Sequence, residues 1–335
     1  YTQYNNLVVK LDASGSVDWY TFLGETSSAA YNSVQQTTDG GYIVAGAAAG
    51  NIPTLQEKTP INPYSSNYNN LVVKLDASGS VAWYTFLGET PSTVTISVQH
   101  TADGGCIFAG LAAADIPTLQ TKSPINPYSG SQDMLVVRLD ASGSVNWYTF
   151  LGGTSSSIQQ TSDGGHIVAG SAYADIPSLQ GKTPLNAYSG NLDMLVVKLN
   201  ASGNVAWYTF LGGAAGFEGA GSIQQTADGG YIVAGIEWGS NIPSLQGKTP
   251  MNDFTAMMDM LVVKLDASGS VDWYTFLGGT DVEQANSIQQ TSDGGYIVAG
   301  YAGADLNPLY GKTPINGFSS SGDIMVVKLK NDGTL

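Results

Sequence analysis

The hexapeptide Trp-Tyr-Thr-Phe-Leu-Gly occurs five times in this 335-residue chain, starting at Trp19, Trp83, Trp147, Trp207 and Trp273, so that successive copies are 64, 64, 60 and 66 residues apart. Between copies the same phrases return in one order: SIQQT, DGG, YIVAG, IPxLQxKTP and LVVKLDASG, each with small variations. A fixed period of this kind indicates a repeat architecture in which neighbouring units bury one another's apolar faces. The sequence therefore predicts a single domain over residues 1–335, built from about five tandem repeats of 60–66 residues.

Each repeat contains four short runs typical of β-strands, which we name run A (SIQQT), run B (YIVAG), run C (LVVKL) and run D (VDWYTFLG). Their β-branched and aromatic residues favour strands. Asp-Gly-Gly joins run A to run B, and Asp-Ala-Ser-Gly joins run C to run D; both are tight-turn signals. In run D, Trp and Thr face one side while Tyr and Phe face the other. A strand that is apolar on both sides requires sheets stacked against sheets.

The pattern predicts an all-β fold, a five-bladed β-propeller of four-stranded antiparallel blades. A β-solenoid is the competing architecture, but it usually has a shorter period and needs no pair of tight hairpins in each unit. Because the chain opens with runs C and D and ends with runs A, B and C, we expect the ring to close by pairing N- and C-terminal strands in one blade. Run C occurs six times, so either Leu7–Leu11 or Met325–Leu329 is surplus. The low loop-closure entropy of a local hairpin favours Leu7–Leu11 in the closing blade.

The stretch DMLVVKLNASGNVAWYTFLGG from Asp193, followed by SIQQTADGGYIVAG from Ser222, resembles the bacterial SBBP-type β-propeller repeat and its DGGYIVAG-containing relatives. The likeness covers essentially the whole chain and implies a propeller in a secreted or surface-exposed bacterial protein. It implies no catalytic residue. The chain departs from that repeat in the long segment, containing IPxLQxKTP, that lies between runs B and C.

Composition narrows the classes of partner. The net charge of −15 predicts no nucleic-acid binding, since such a surface repels phosphates. No apolar run is long enough to cross a bilayer, so we expect no membrane insertion of this chain. Low charge and the acidic balance favour an extracellular or cell-surface setting, and we expect a monomer.

The sequence predicts no catalytic residues, no metal site and no cofactor. His100, His166 and Cys106 replace neutral residues of the repeat and are interpreted as scaffold. Glycoside hydrolysis needs two carboxyl groups about 5–10 Å apart, whereas run A, expected to line the channel, has no Asp or Glu. Oxygen-rich loops leave calcium binding open, although no DxDxDG-like loop is present.

The candidate ligand site lies in the segments that differ between repeats, because variable loops on a rigid scaffold commonly carry binding. Differences collect between runs D and A and between runs B and C around the fourth repeat. The predicted ligand-binding residues on this loop face are Phe217, Glu218, Glu237, Trp238, Asp281 and Glu283, with Tyr173 and Tyr301 as further aromatic candidates. The alternative is that Trp238, the one tryptophan outside run D, covers an apolar patch of its own loop.

The sequence thus predicts a non-enzymatic binding module for an extracellular protein or glycan. A structural spacer without a specific ligand is the second hypothesis, and a carbohydrate-active enzyme is the third.

Overall fold

The computed structural model describes residues 4–26, 30–65, 67–91, 94–130, 133–239, 241–255, 257–306, 309–319 and 321–335, and every regular element in them is a β-strand. No helix in these residues is long and apolar enough to cross a membrane. The chain divides into two compact units, Tyr1–Gln160 and Thr161–Leu335. The single domain over residues 1–335 stays a prediction.

The described residues of the first unit contain thirteen strands, two of them with two residues each. They are β1 (Tyr4–Leu11), β2 (Val17–Thr26), β3 (Ala30–Tyr31), β4 (Ser33–Gln36), β5 (Tyr42–Ala48), β6 (Tyr68–Leu75), β7 (Val81–Thr90), β8 (Val94–Thr95), β9 (Ser97–His100), β10 (Cys106–Ala112), β11 (Asp133–Leu139), β12 (Val145–Phe150) and β13 (Thr154–Gln160).

The second unit repeats the same succession of strands. They are β14 (His166–Ala172), β15 (Asp193–Leu199), β16 (Val205–Leu211), β17 (Phe217–Gln225), β18 (Tyr231–Trp238), β19 (Met258–Leu265), β20 (Val271–Leu277), β21 (Glu283–Gln290), β22 (Tyr296–Ala302) and β23 (Asp323–Leu329).

Runs A to D form neighbouring strands of antiparallel sheets, as predicted. The complete sheets β4-β5-β6-β7 and β9-β10-β11-β12 lie in the first unit, and β17-β18-β19-β20 lies in the second. The short strands β3 and β8 add a parallel pair in the first unit. The predicted all-β class and the four-stranded antiparallel sheets are thus confirmed.

The ends of the chain differ from the expected closing blade. In the described residues β1 pairs with β2, while β21, β22 and β23 form a three-stranded sheet. The predicted closure by pairing the N- and C-terminal strands in one blade is therefore not found among these residues. The favoured local hairpin of Leu7–Leu11 with run D does form, but β23 keeps its place beside β22 instead of being displaced. Both copies of run C are ordered as strands because each has a neighbour close in sequence.

The sheets are apolar on both faces, and successive residues of one strand enter different cores. Leu261 and Val263 of β19 pack in one cluster with Ile167 and residues of β15. Met260 and Val262 of the same strand pack in a second cluster, against Ile288 and residues of β22. The period-2 alternation of a strand explains this division. Each inner sheet is therefore covered on both sides, as run D predicts.

Ion pairs between run-C cations and the aspartates of the Asp-Gly-Gly turns recur along the chain. In the second unit Lys264 is buried, and its Nζ lies 2.9 Å from a carboxylate oxygen of Asp228. That carboxylate also accepts the Gly230 N–H at 3.0 Å, as expected for an aspartate in the turn before Gly-Gly. Burial raises the pKa of Asp228, but hydrogen bonds from Thr226 and Lys264 outweigh it, and the pKa falls to about 2. Lys74, Arg138, Lys198 and Lys264 are therefore buried partners of the hairpin turns, whereas Lys328 makes the same ion pair while half exposed.

Identical sequences in different surroundings allow a test of the core. Val17–Gly24 and Val271–Gly278 have the same eight residues, but Phe276 is fully buried whereas Phe22 is 56% exposed. Phe276→Ala should lower the free energy of unfolding by about 3–5 kcal/mol through the cavity it creates, and Phe22→Ala should change it by less than about 0.5 kcal/mol. Urea unfolding monitored by circular dichroism measures both. Equal losses would show that the N-terminal hairpin is packed as tightly as β20.

Candidate functional site

Phe217 and Trp238 form an exposed aromatic pair at the end of the β17–β18 hairpin. They lie directly opposite each other on adjacent strands. Their ring centroids are 5.4 Å apart with an interplanar angle of 36°, and the side chains are 42% and 50% exposed. Met257, 56% exposed, lies beside them, since its carbonyl accepts the N–H of Gly239 at 2.9 Å. We call Phe217, Trp238 and Met257 the aromatic surface.

The other predicted aromatic residues lie elsewhere in the second unit. Tyr173 directly follows β14, in the position that Trp238 has in its own repeat, and it is exposed. Tyr301 lies in β22, where its ring stands over Gly322 and its hydroxyl donates to the Ser321 carbonyl at 3.4 Å. The structure therefore joins Phe217 with Trp238, and Tyr301 packs on its own sheet.

The predicted acidic residues are divided between surface and interior. Asp281 is exposed in the connection before β21. Glu218, Glu237 and Glu283 are completely buried and lie on strands, which corrects their placement on an exposed loop face. The physical reason is strand extension: β17 and β18 continue past the runs that the pattern identifies, so alternate residues point to opposite faces. Phe217 and Trp238 point outward, and Glu218 and Glu237 point inward.

The buried carboxyl groups form a row that we call the acid row: Asp193, Glu218, Glu237, Asp259 and Glu283. Glu237 lies opposite Glu218 on one side and opposite Asp259 on the other. A β-carbon built on Gly212 would lie 2.7 Å from carboxylate oxygens of both Asp193 and Glu218. One built on Gly278 would lie 2.1 Å from Asp259 and 2.9 Å from Glu283. These two glycines therefore leave the space in which the carboxyl groups meet.

Local donors bind part of the acid row. The Gly213 N–H donates to Glu218 at 3.0 Å, and the Gly279 N–H donates to Glu283 at 2.8 Å. Asp259 accepts the Thr255 N–H at 2.8 Å and the Thr255 hydroxyl at 2.9 Å. The corresponding hydrogen bonds of Asp193 come from Ser189. The two aspartates thus serve the loop before run C, as their strand-entry position suggests.

Burial shifts four carboxyl groups of the acid row, Asp193, Glu218, Asp259 and Glu283, towards the protonated form. Burial, followed by the hydrogen bond with Glu237, raises the pKa of Glu218 to about 10. Burial also raises the pKa of Asp259 to about 6, and it raises the pKa of Asp193 and of Glu283. The ion pairs that lysines form in the described part of this unit go to other aspartates: Asp163, Asp228, Asp272 and Asp293. Glu218 and Glu237 are therefore expected to share a proton at neutral pH.

The described residues contain no group of three or more His, Cys, Asp and Glu side chains arranged to hold a metal ion.

Sequence reasoning singled out Glu237 but missed its surroundings. The corresponding positions of the other repeats are Ala48, Ala112, Ala172 and Ala302, all buried. An acid at a position that is otherwise alanine indicates burial, and this signal was available in the sequence. Asp193, Asp259 and Met257 were missed as neighbours of the site because the contacts that join them run between strands.

Comparisons with known proteins assign no family to the chain. No family model matches it, and no curated protein matches it. A solved Bacteroides caccae protein of unknown function is 13% identical with a TM-score of 0.44, covering 99% of this chain and 92% of that one. A Dyadobacter fermentans protein of unknown function is 13% identical with a TM-score of 0.47, covering 91% and 80%. A mannose phosphorylase from Leishmania mexicana, solved with phosphate, is 12% identical with a TM-score of 0.34, covering 80% and 78%. Likeness of this degree transfers no activity.

The acid row predicts that stability falls as pH rises. Because the folded-state pKa values of Glu218 and Asp259 lie above their ordinary values, the stabilising protonation is complete at acid pH. It is lost as pH rises through about 6 for Asp259 and towards about 10 for Glu218. Each retained proton contributes a slope of up to about 1.4 kcal/mol per pH unit. Urea unfolding between pH 5 and 9 should show this decline, and Glu237→Gln should make it shallower.

The matched control is Asp228→Asn, which alters a turn carboxylate whose pKa is lowered to about 2. It should leave the slope between pH 6 and 9 unchanged. A flat profile for the unaltered protein would contradict a protonated acid row.

Proposed function

We propose that this protein is a non-enzymatic binding module whose contact surface is the aromatic surface of Phe217, Trp238 and Met257. The observation that carries the proposal is the exposed Phe217–Trp238 pair at the end of a hydrogen-bonded hairpin. Aromatic side chains provide a large contact area at low cost in conformational entropy, because they have few rotatable bonds. Leaving such a pair in water is unfavourable unless a partner covers it.

The class of ligand is an extracellular protein or a glycan. A sugar ring could stack on the open face of Trp238, and a protein could use the same rings as an apolar anchor. Tyr173, in the corresponding position of the preceding repeat, offers a further exposed ring.

The burial of the acid row supports a non-enzymatic role. Sugar hydrolysis requires two carboxyl groups that reach the glycosidic bond, whereas Glu218, Glu237 and Glu283 are completely enclosed. Glu218 and Glu237 lie on β17 and β18, the strands that bear Phe217 and Trp238, and they point to the opposite face.

The finer architecture in this proposal is a five-bladed β-propeller of the SBBP-type repeat class. The count is supported by the five successions of runs A and B in the sequence. The proposed architecture does not include closure by pairing N- and C-terminal strands, because β2 pairs with β1 in the described residues. The repeat class and the acidic composition support an extracellular or cell-surface location for a monomer that binds no nucleic acid.

Binding should depend on Trp238. Trp238→Ala should weaken the affinity for a bound glycan or extracellular protein by at least about 30-fold, the loss typical of an aromatic residue central to an interface. Glycan arrays and extracellular-protein panels identify the ligand, and calorimetry measures its affinity.

The matched control is Tyr20→Ala, which removes an exposed aromatic side chain from β2 in the other unit. It should leave the affinity unchanged, and both variants should keep the melting temperature of the unaltered protein. Equal losses in the two variants would contradict the assigned surface. A protein that binds nothing on either panel would favour the structural-spacer hypothesis.

A further inference from the structure

The last sheet of the second unit has a vacant strand position. Strands β21, β22 and β23 correspond to runs A, B and C, and in the described residues no run-D strand lies beside β23. In the complete sheet of the same unit, run D is β20, which pairs along β19. Among the strands that the structure describes, none occupies the edge of β23 that corresponds to this pairing.

The complete repeats show which contacts hold a strand in this position. The N–H of Met251 donates to the Tyr274 carbonyl at 3.0 Å, and the N–H of Phe276 donates to the Asn252 carbonyl at 3.3 Å. The Tyr274 hydroxyl donates to the Ile242 carbonyl at 2.7 Å. Phe254 packs edge-on against Phe276, with ring centroids 5.7 Å apart. The long segment between runs B and C thus forms one wall around run D, and run C forms the other.

Both walls are present around the vacant position. Leu306, Ile315, Asn316 and Phe318 correspond in sequence to Ile242, Met251, Asn252 and Phe254. They line a groove of about 750 Å³ together with Val326 of β23 and Leu335. Ile315 is fully exposed there, whereas its counterpart Met251, beside β20, is 38% exposed.

The turn into the groove is also formed. The N–H of Lys330 donates to the Thr334 carbonyl at 2.7 Å, and the N–H of Gly333 donates to the Lys330 carbonyl at 3.0 Å. These hydrogen bonds repeat those of Asp266 with Ser270 and of Gly269 with Asp266, which precede β20. Leu335 therefore lies where a run-D strand begins.

The number of strands leaves this position unfilled. The sequence contains six copies of run C and five of run D. Strands β2, β7, β12, β16 and β20 are each paired with a run-C strand: β1, β6, β11, β15 and β19. Each run-D strand can pair with only one run-C strand along this edge. One of the six run-C strands therefore has no run-D partner from within these residues.

We propose that the groove beside β23 binds an extended polypeptide strand from outside these residues, with the run-D pattern Trp-Tyr-Thr-Phe-Leu-Gly. The occupants of the corresponding grooves in this chain define that chemistry. The strand adds antiparallel to β23, so its backbone pairs with an open sheet edge. Its Tyr and Phe side chains enter the groove against Leu309 and Phe318, and the Ile315 N–H donates to the carbonyl of its Tyr.

The test uses the whole protein and a fluorescein-labelled peptide with the sequence of residues 272–279, DWYTFLGG. Fluorescence anisotropy should show saturable binding of one peptide per chain. The control peptide DWSTSLGG, which lacks the two groove-facing rings, should bind at least tenfold more weakly. Phe318→Ala should weaken the binding of DWYTFLGG at least tenfold, and Trp238→Ala should leave it unchanged.

A photoreactive benzoylphenylalanine at the Phe position of the peptide locates the complex. Cross-links to residues 306–335 are expected. Absence of saturable binding, equal binding of both peptides, or cross-links elsewhere would each overturn the proposal. If β2 of the same chain fills the groove, the peptide will not bind. A photoreactive residue at position 22, in place of Phe22, would then cross-link to residues 306–335. That result would overturn the proposal and favour the predicted closure. Each of these results leaves the Trp238 test of the proposed function unaffected.

Discussion

The structure depends on sheets that are apolar on both faces and that cover one another. A single repeat cannot bury Leu261 and Met260 at once, because neighbouring residues of a strand point in opposite directions. Only a sheet on each side removes both faces from water, which is why copies of one repeat stabilise each other. The same constraint explains the exposed apolar residues at both chain ends, such as Tyr20 in β2 and Ile324 in β23, where the described residues supply no covering sheet.

The fourth repeat differs from the others because one of its hairpins has an energetically unfavourable side chain on each face. Trp238 is left half exposed, and Glu237 is buried where the other repeats have alanine. Each of these two features lowers the free energy of unfolding, since burying a carboxyl group and exposing an indole are both unfavourable. Departures of this kind from the packing rules occur mainly where a protein uses a surface. The hairpin β17–β18 is therefore the part of the chain that gives the most support to the proposed contact surface.

Much of the fold could be predicted from residues alone, because the signals are local and recur. The hairpin turns and the role of Asp228 before Gly-Gly follow from short-range rules, and the structure has them as expected. The candidate site was predicted less well. Phe217 and Trp238 were assigned to the surface correctly, whereas Glu218 and Glu237 were assigned to a loop, since the pattern does not reveal how far β17 and β18 extend. A shift of one residue along a strand moves a side chain to the opposite face.

The sequence by itself determined the repeat, the strand types and the antiparallel pairing within each unit, because these follow from periodicity and turn chemistry over fewer than about ten residues. The tertiary structure decided which faces and edges stay open. Phe22 and Phe276 lie in identical eight-residue segments, yet one is exposed and the other is buried. Likewise, β1 and β23 share the run-C pattern, and only the actual pairing shows that β1 holds β2 while β23 has an open edge. The burial of a side chain depends on residues that are distant in sequence. A local sequence pattern does not show which of those residues pack against it.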